Sequence, residues 1–418
     1  MQLFLISLVR NDNMPLHKRQ YTRNMAGLGG KGTLWQSLDS AHGSGRHLTP
    51  DRTGVTPLET PEHPQTNTPS VIPNEFVTRI TFRKRLLRWF VLVIYGIGGV
   101  IGTVLLICLI YALFFLHYPQ RTPEGWQRKS GVLEEFAIPE TCPVEEVGLN
   151  PYRKPDFEGY TIRRYRFTPE TEEITEFLID WFEPKGEKPF SGYPLVMNSP
   201  ITGGGMQLEN IFSRHFADHG MAVCLVHRPE RYDREPKQLD QSGYWWRMMT
   251  RQSRIACRWA LQRGEIDPAR IASFGISNGG FRNTFFAAAE PNVKAHIICL
   301  AGGDLVGMLC DSDFFAEPRE EIMKTRGWDE TQLRAWLETV VDLETTDYAP
   351  YTDPDSVLMI CARLDRIVPY RNGLRLWEAF GRPEFIALPF GHYSSAYFIP
   401  YIKRVSLEFI QKRFESVR

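Results

Sequence analysis

The sequence predicts an α/β protein: a mostly parallel sheet with helices on both faces and a helical cap insertion, preceded by one transmembrane helix and a disordered N-terminal tail. Three observations carry that expectation. From about Gly131 onward, apolar runs of strand length alternate with stretches of helical period. One of these runs, Arg270 to Ile276, leads through Ser277-Asn278-Gly279 into a helical stretch, Phe281 to Glu290, that stops at Pro291. Upstream, Phe90 to Leu116 is an uncharged run of 27 mostly apolar residues.

Composition sets the frame for the elements. Of 418 residues, 43% are hydrophobic and 12% aromatic, as in globular proteins. Lys plus Arg equals Asp plus Glu, 49 against 49, so nothing in the charge balance points to nucleic acid. Residues 1–75 show no sustained period and are rich in Pro, Thr, Gly and His from His42 to Pro73, the signature of a tail that cannot offset its ordering entropy. Met1 to Val9 lacks the basic start and cleavage site of a signal peptide. Gly27 to Thr33 imitates a phosphate loop, but Lys31 is followed by Gly and no strand precedes it, so it is set aside.

Next comes a basic juxtamembrane segment, 76–89, and then the apolar run, 90–116. As a helix that run is roughly 40 Å long at about 1.5 Å per residue, enough to cross a hydrocarbon core of about 30 Å with tilt. Arg79, Arg83, Lys84, Arg85 and Arg88 precede it, against Arg121, Arg128 and Lys129 after it. This bias predicts a cytoplasmic N-terminus and a following domain outside the cytoplasm, periplasmic or extracellular. Cys108 lacks the small preceding residue of a lipid-attachment signal. Gly98 and Gly102 have the spacing that lets two such helices approach, so a homodimer through them is an expectation.

Residues 117–154 read as a linker and 155–418 as the folded domain. Strands are expected at Tyr160–Phe167, Ile174–Phe182, Tyr193–Asn198 and Met221–Val226, with helices at Gln207–His219 and Tyr244–Arg263. Asp267-Pro268 reads as the turn into the strand that ends at Ile276, and Lys294–Ala301 as the next strand. Residues 305–354 break the alternation and are expected to form a cap over the strand ends, with a capped helix from Asp329 to Val341. The order resumes with a strand at Val357–Ala362, a helix at Asn372–Phe380, a strand at Glu384–Pro389 and a helix from Ser395 to about Phe414. The seven cysteines show no C-x-x-C pair, so neither a disulfide framework nor a zinc site is indicated; Cys224, Cys299 and Cys361 lie in apolar runs and read as buried thiols.

Gly275-Ile276-Ser277-Asn278-Gly279 is a Gly-x-Ser-x-Gly pattern between a strand and a helix, where a strained turn exposes a serine hydroxyl. Asp365 follows a later strand, in Asp365-Arg366-Ile367-Val368-Pro369, and His392 follows the last strand, in Gly391-His392. With these three positions, in the order Ser, Asp, His, residues from about 155 to 418 resemble an α/β-hydrolase serine hydrolase. The resemblance is to the branch of esterases, dienelactone-hydrolase-like proteins and prolyl-oligopeptidase-like peptidases. It implies that Ser277 is the nucleophile, His392 the base and Asp365 the group that orients the imidazole. It also implies an oxyanion hole made by the backbone N–H of Asn278 and one from Thr202 or Gly203, although Ser199 to Gly205 departs from the His-Gly pattern of relatives.

Alternatives stay open at this stage. Asp304 also follows a strand and is the second candidate for the acid. Trp245, Trp246, Trp328 and Trp336 could line an acyl pocket or be ordinary core. His296 reads as a core residue, and His215, His219 and His227 lack metal-ligand spacing. No cofactor is expected, and the substrate expected is a small-molecule or lipid-like acyl ester. A peptidase or acyltransferase of the same fold, or a catalytically silent membrane-tethered binding module, are the other readings; no propeller-sized segment precedes the domain, which counts against an oligopeptidase.

Overall fold

The structure, a computed structural model, describes residues 74–149, 155–229 and 241–416. The expected tail up to residue 73 and the Gly27 to Thr33 stretch lie outside them. Helix α1 (Asn74–Phe115) takes in both the basic flank and nearly all of the apolar run. Within it lies Arg85–Ile110, whose most apolar 18-residue stretch has a mean hydropathy of 2.5 and is nowhere buried, so it is long and apolar enough to cross a membrane and is not a covered core helix. The expected end of the span at Leu116 is corrected: Leu116 is buried and its carbonyl accepts a hydrogen bond from Ala387 N at 2.7 Å, which makes it part of the folded domain.

Among the described residues that domain is built on ten strands: β1 (His117–Tyr118), β2 (Val144–Val147), β3 (Tyr160–Phe167), β4 (Phe177–Pro184), β5 (Tyr193–Ser199), β6 (Ala222–Val226), β7 (Ile266–Ile276), β8 (Ala295–Cys299), β9 (Val357–Ala362) and β10 (Glu384–Leu388). They lie in the order β1-β10-β9-β8-β7-β5-β6-β4-β3-β2. The six strands from β10 to β6 pair in parallel, while β4, β3, β2 and β1 pair antiparallel. The described part of the expected linker, residues 117–149, is therefore not one. Although short and polar enough to read as a linker, it supplies both edge strands, β1 against β10 and β2 against β3. The second correction concerns Asp267-Pro268, which lies inside β7. The pairing with β5 jumps from Tyr193–Ile266 to Leu195–Ile271, so the turn-like dipeptide is an irregularity within a longer strand.

Burial follows the topology. β6, β8 and β9 are buried along their whole length, as expected of parallel strands covered on both faces, whereas antiparallel β3 alternates. Successive residues face opposite ways: Ile298, Met359 and Ala387 join one core, while Ile297, Leu358 and Ile386 join the other. The first core contains Met248 and Ile255 of α3 (Ser242–Gln262) and Phe281 and Phe285 of α4 (Asn278–Ala289). The second contains Phe212 and Phe216 of α2 (Gln207–Asp218) and Ile402 and Phe409 of α10 (Ile399–Glu415). Cys224, Cys299 and Cys361 are buried free thiols, their pKa values pushed up first by that burial.

The segment 305–354 forms α5 (Leu305–Asp311), α6 (Ala316–Arg326), α7 (Glu330–Val340) and α8 (Thr345–Tyr348). Asp329 and Gln332 close a capping box at the start of α7. Leu305, Met308, Leu333 and Leu337 bury in the same core as Phe281 and Phe285, and the Tyr348 ring meets Phe285 edge-on at 5.3 Å. The insertion is thus packed on the α4 side of the sheet. Helix α9 (Tyr370–Ala379) follows β9.

What fixes the turn between β7 and α4 is how closely helix crosses strand. A Cβ on Gly275 would lie 2.1 Å from the Gly279 carbonyl oxygen, and one on Gly279 would lie 2.2 Å from the Ser199 carbonyl oxygen. Both obstacles are backbone, so neither can step aside as a side chain could. Replacing Gly275 by Ala is expected to cost about 3 kcal/mol, read as a fall in Tm on the order of 5–10 °C by thermal melting of the purified protein.

Candidate active site

Ser277 sits at the crossing of β7 and α4 with φ 54° and ψ −121°, a backbone conformation that L-residues seldom adopt. It is held there from both sides. Its N–H donates to Cys299 O at 2.8 Å, and its carbonyl accepts from Gly280 N at 2.8 Å and Phe281 N at 3.1 Å. The side chain is thereby lifted clear of the strand at the C-terminal end of the parallel sheet.

Asp365 and His392 come from the loops after β9 and β10. His392 Nε2 lies 3.0 Å from Ser277 Oγ, and His392 Nδ1 lies 2.7 Å from Asp365 Oδ2. Since an ionised carboxylate only accepts, Nδ1 carries the proton and the lone pair on Nε2 faces the serine hydroxyl. The other carboxylate oxygen, Oδ1, accepts from Ile367 N and Val368 N, each at 2.8 Å. Both oxygens of a buried carboxylate are therefore engaged, which fixes its plane.

The two loops are joined by backbone bonds, Arg363 N to Leu388 O at 2.8 Å and Leu364 N to Phe390 O at 2.9 Å. At Gly391 a Cβ would stand 3.0 Å from Leu364 O. The Gly391 carbonyl accepts from Ser395 N and from Ser395 Oγ, and Gly391 N donates to Ser394 Oγ at 3.0 Å. In the sequence, Ser395 marks only the expected start of the last helix, and Ser394 carries no signal beyond following a Gly-His pair.

Asp304, the second candidate for the acid, is placed elsewhere. Its side chain accepts from Gly307 N at the start of α5 and pairs with Arg375 of α9. The tryptophans also separate. Trp245 and Trp246 are buried in the core, while Trp328 and Trp336 lie in the insertion with the Arg326 guanidinium 4.6 Å and 4.8 Å from their rings. Trp246 has a further task that its helical spacing concealed: its Nε1–H donates to Asn278 Oδ1 at 2.8 Å, tying down the residue whose N–H is expected to face the oxyanion.

Around Thr202 and Gly203 the structure shows how the loop after β5 is held. Gly203, Gly204 and Met206 have φ of 72°, 76° and 65°, so the glycines meet a conformational demand and are not merely flexible. Glu209 of α2 accepts from Ile201 N at 2.8 Å, and Arg228 donates to Ile201 O at 2.7 Å and to Gly204 O at 2.8 Å. The two charges lie 3.8 Å apart and almost wholly buried. Burial pushes the Glu209 carboxyl above the usual carboxylate range, against the backbone N–H groups and the Arg228 guanidinium that favour its charged form. Neither residue was singled out in the sequence, because a lone Arg after a strand and a Glu on an amphipathic helix look like surface.

The other histidines have structural surroundings. His296 is buried, its Nδ1 2.7 Å from Ser273 Oγ, and burial lowers its pKa to about 3. His215 is lowered to about 4, again first by burial, and His227 Nε2 lies 2.9 Å from Asp180 Oδ2. Among the described residues no three His, Cys, Asp or Glu side chains gather as a metal-ligand set.

The sheet order, its covering helices and the serine turn give the chain the α/β-hydrolase fold, the architecture shared by serine esterases and peptidases. Residues 250–383 match the model of the prolyl oligopeptidase family, a span that takes in Ser277 and Asp365 and ends before His392. Among solved structures, an acetyl xylan esterase from Paenibacillus sp. R4 is similar, with 18% identity and a TM-score of 0.51 over 66% of this chain and 89% of that one. Acetyl xylan esterase 1 from Thermoanaerobacterium sp. JW/SL YS485 shares 14% identity, with a TM-score of 0.47 over 67% of this chain and 96% of its own. An acylaminoacyl peptidase from Pyrococcus horikoshii shares 16%, with a TM-score of 0.46 over 62% of this chain and 44% of its own. No curated protein matches the sequence.

If the Arg228 and Glu209 pair holds the loop for catalysis, loosening it should slow the chemical step more than it weakens substrate binding. The double variant Arg228→Met/Glu209→Gln, which leaves no buried charge alone, is expected to lose about tenfold to a hundredfold in kcat with KM changed less than about threefold. Steady-state kinetics on a chromogenic ester reads both.

Proposed function

We propose that this protein is a membrane-anchored serine hydrolase that cleaves a carboxylic ester through an acyl-enzyme on Ser277. The observation that carries the reading is the chain of contacts from Ser277 Oγ through His392, at 3.0 Å, to Asp365, at 2.7 Å. A hydroxyl is a weak nucleophile near pH 7, and an imidazole with its free lone pair on that hydroxyl is the base it needs. As Oγ bonds to the acyl carbon, its proton passes to His392 Nε2, and the Asp365 carboxylate stabilises the imidazolium. Negative charge gathers on the former carbonyl oxygen, where the N–H of Asn278 and one from Thr202 or Gly203 act as donors. Collapse breaks the bond to the leaving oxygen, which takes the proton from His392. Water, deprotonated by the same imidazole, then releases the acid and restores Ser277.

Two findings bear on the bond cleaved. The likeness to an acetyl xylan esterase supports an ester, and the prolyl oligopeptidase match supports the second reading, a peptidase. Replacing Ser277 by Ala should reduce hydrolysis of a short-chain chromogenic ester by a factor of at least ~10⁴ and abolish labelling by a fluorophosphonate. Retention of the wild-type rate would sink the assignment. Labelling without ester turnover, together with cleavage of a blocked peptide, would favour the peptidase, and absence of labelling in the wild type would favour a binding module.

The anchor is the apolar stretch Arg85–Ile110 of α1, with more basic residues before it than after. This bias supports a cytoplasmic N-terminus, and the Gly98/Gly102 pair offers a face for a homodimer. In spheroplasts, added protease should digest the domain after residue 117; full protection would reverse the orientation.

A further inference from the structure

At the end of the sheet away from Ser277, three cations meet around one cavity with no ion pair among the described residues to balance them. We propose that this cavity binds a small phosphate-bearing anion. Its volume is about 260 Å³, and Arg128, Lys294 and Arg413 line it together with Thr352, His296 and Asp353. Its place follows from the strands. Lys294 and His296 stand where β8 begins, whereas Ser277 follows the last residue of β7, the parallel neighbour of β8, so a strand length separates the two sites.

The charge is uncompensated. Among the described residues none of Arg128, Lys294 and Arg413 forms an ion pair with a carboxylate. Asp353 brings one negative charge, and its Oδ1 is turned to the N–H of Asp355 at 3.0 Å. His296 adds no charge, because burial keeps its imidazole neutral at ordinary pH. The remaining balance is clearly positive, and like charges held together favour whatever anion can enter between them.

The polar atoms point the same way. Arg413 Nε and Thr352 Oγ1 are both buried without a hydrogen-bond partner, and Thr352 is only 2% exposed. Buried donors without partners are uncommon, and here both belong to side chains of the residues that line the cavity the cations share. Guanidinium forks, an ammonium and a hydroxyl together make a set of donors that suits the several oxygens of a phosphate better than the two of a carboxylate. The space, room for roughly eight or nine waters, exceeds what a bare phosphate needs and leaves place for a small organic group. A soluble phosphate ester and a phospholipid headgroup share this chemistry.

The test uses the full chain in detergent and glycerol 3-phosphate as the titrant, followed by calorimetry. Saturable binding of one molecule per chain is expected, weakened about tenfold in Lys294→Gln and in Arg413→Gln and severalfold in Thr352→Val, a nearly isosteric change that spares the fold. Hydrolysis of a soluble ester by the same variants should stay within about twofold, since all three residues lie apart from Ser277; this separates failure of the anion site from failure of the hydrolase reading. Competition by phosphatidic acid in the micelle would assign the site to a headgroup, and its absence to a soluble ester, either result supporting the site. No saturable binding to the wild type, or equal binding to all three variants, would overturn it.

Discussion

The close crossing of β7 and α4 is the constraint on which the site depends. Strand and helix approach until the backbone of Gly279 fills the space where Gly275 would carry a Cβ, and that approach leaves the connecting residue one conformation. A serine in that place cannot fold back onto the strand. The cost of its positive φ is met by the Cys299 carbonyl on one side and the Gly280 and Phe281 amides on the other. The surrounding core, with Phe281 and Phe285 pressed against the sheet, keeps the helix from easing away.

A second level of order lies in how separate loops are made to behave as one body. The acid loop and the histidine loop are bonded backbone to backbone, so Asp365 and His392 move together if they move at all. Arg228 and Glu209 fasten the loop after β5, and Trp246 fastens Asn278. A buried ion pair is a poor source of stability, since desolvation consumes most of its attraction. Here its value lies in geometry: three hydrogen bonds from the pair converge on the stretch from Ile201 to Gly204, where Gly203 and Gly204 carry no side chain to hold it.

The parts of this arrangement that were legible in the sequence are those whose chemistry is local. Gly275, Ser277 and Gly279 announce a turn by spacing alone, and Asp365 and His392 each follow an apolar run that could hardly be anything but a strand. Most of the parallel strands were legible for the same reason, being short, largely apolar runs. What was not legible depends on partners far away in the chain. Nothing in His117-Tyr118 or Val144 to Val147 marks them as strands, because an edge strand is defined by the neighbour it meets. Asp267-Pro268 has the composition of a turn, and only the bulge against β5 explains its place in β7. Arg228 resembles any surface arginine until the fold closes over it.

The edge formed by β1 carries a consequence for the order in which the protein can be built. His117 and its ion-pair partner Glu384 are 267 residues apart, so the first strand to leave the ribosome borders one of the last. Until β10 emerges, β1 has no partner, and Leu116 has no core to enter. Closing so long a loop is slow and comes after the local helices and parallel units have formed. Final closure of the sheet therefore reports that synthesis has reached the histidine loop, which begins a few residues beyond β10. A chain truncated before β10 would present an open edge, β9, whose row of unpaired backbone groups invites association with other chains.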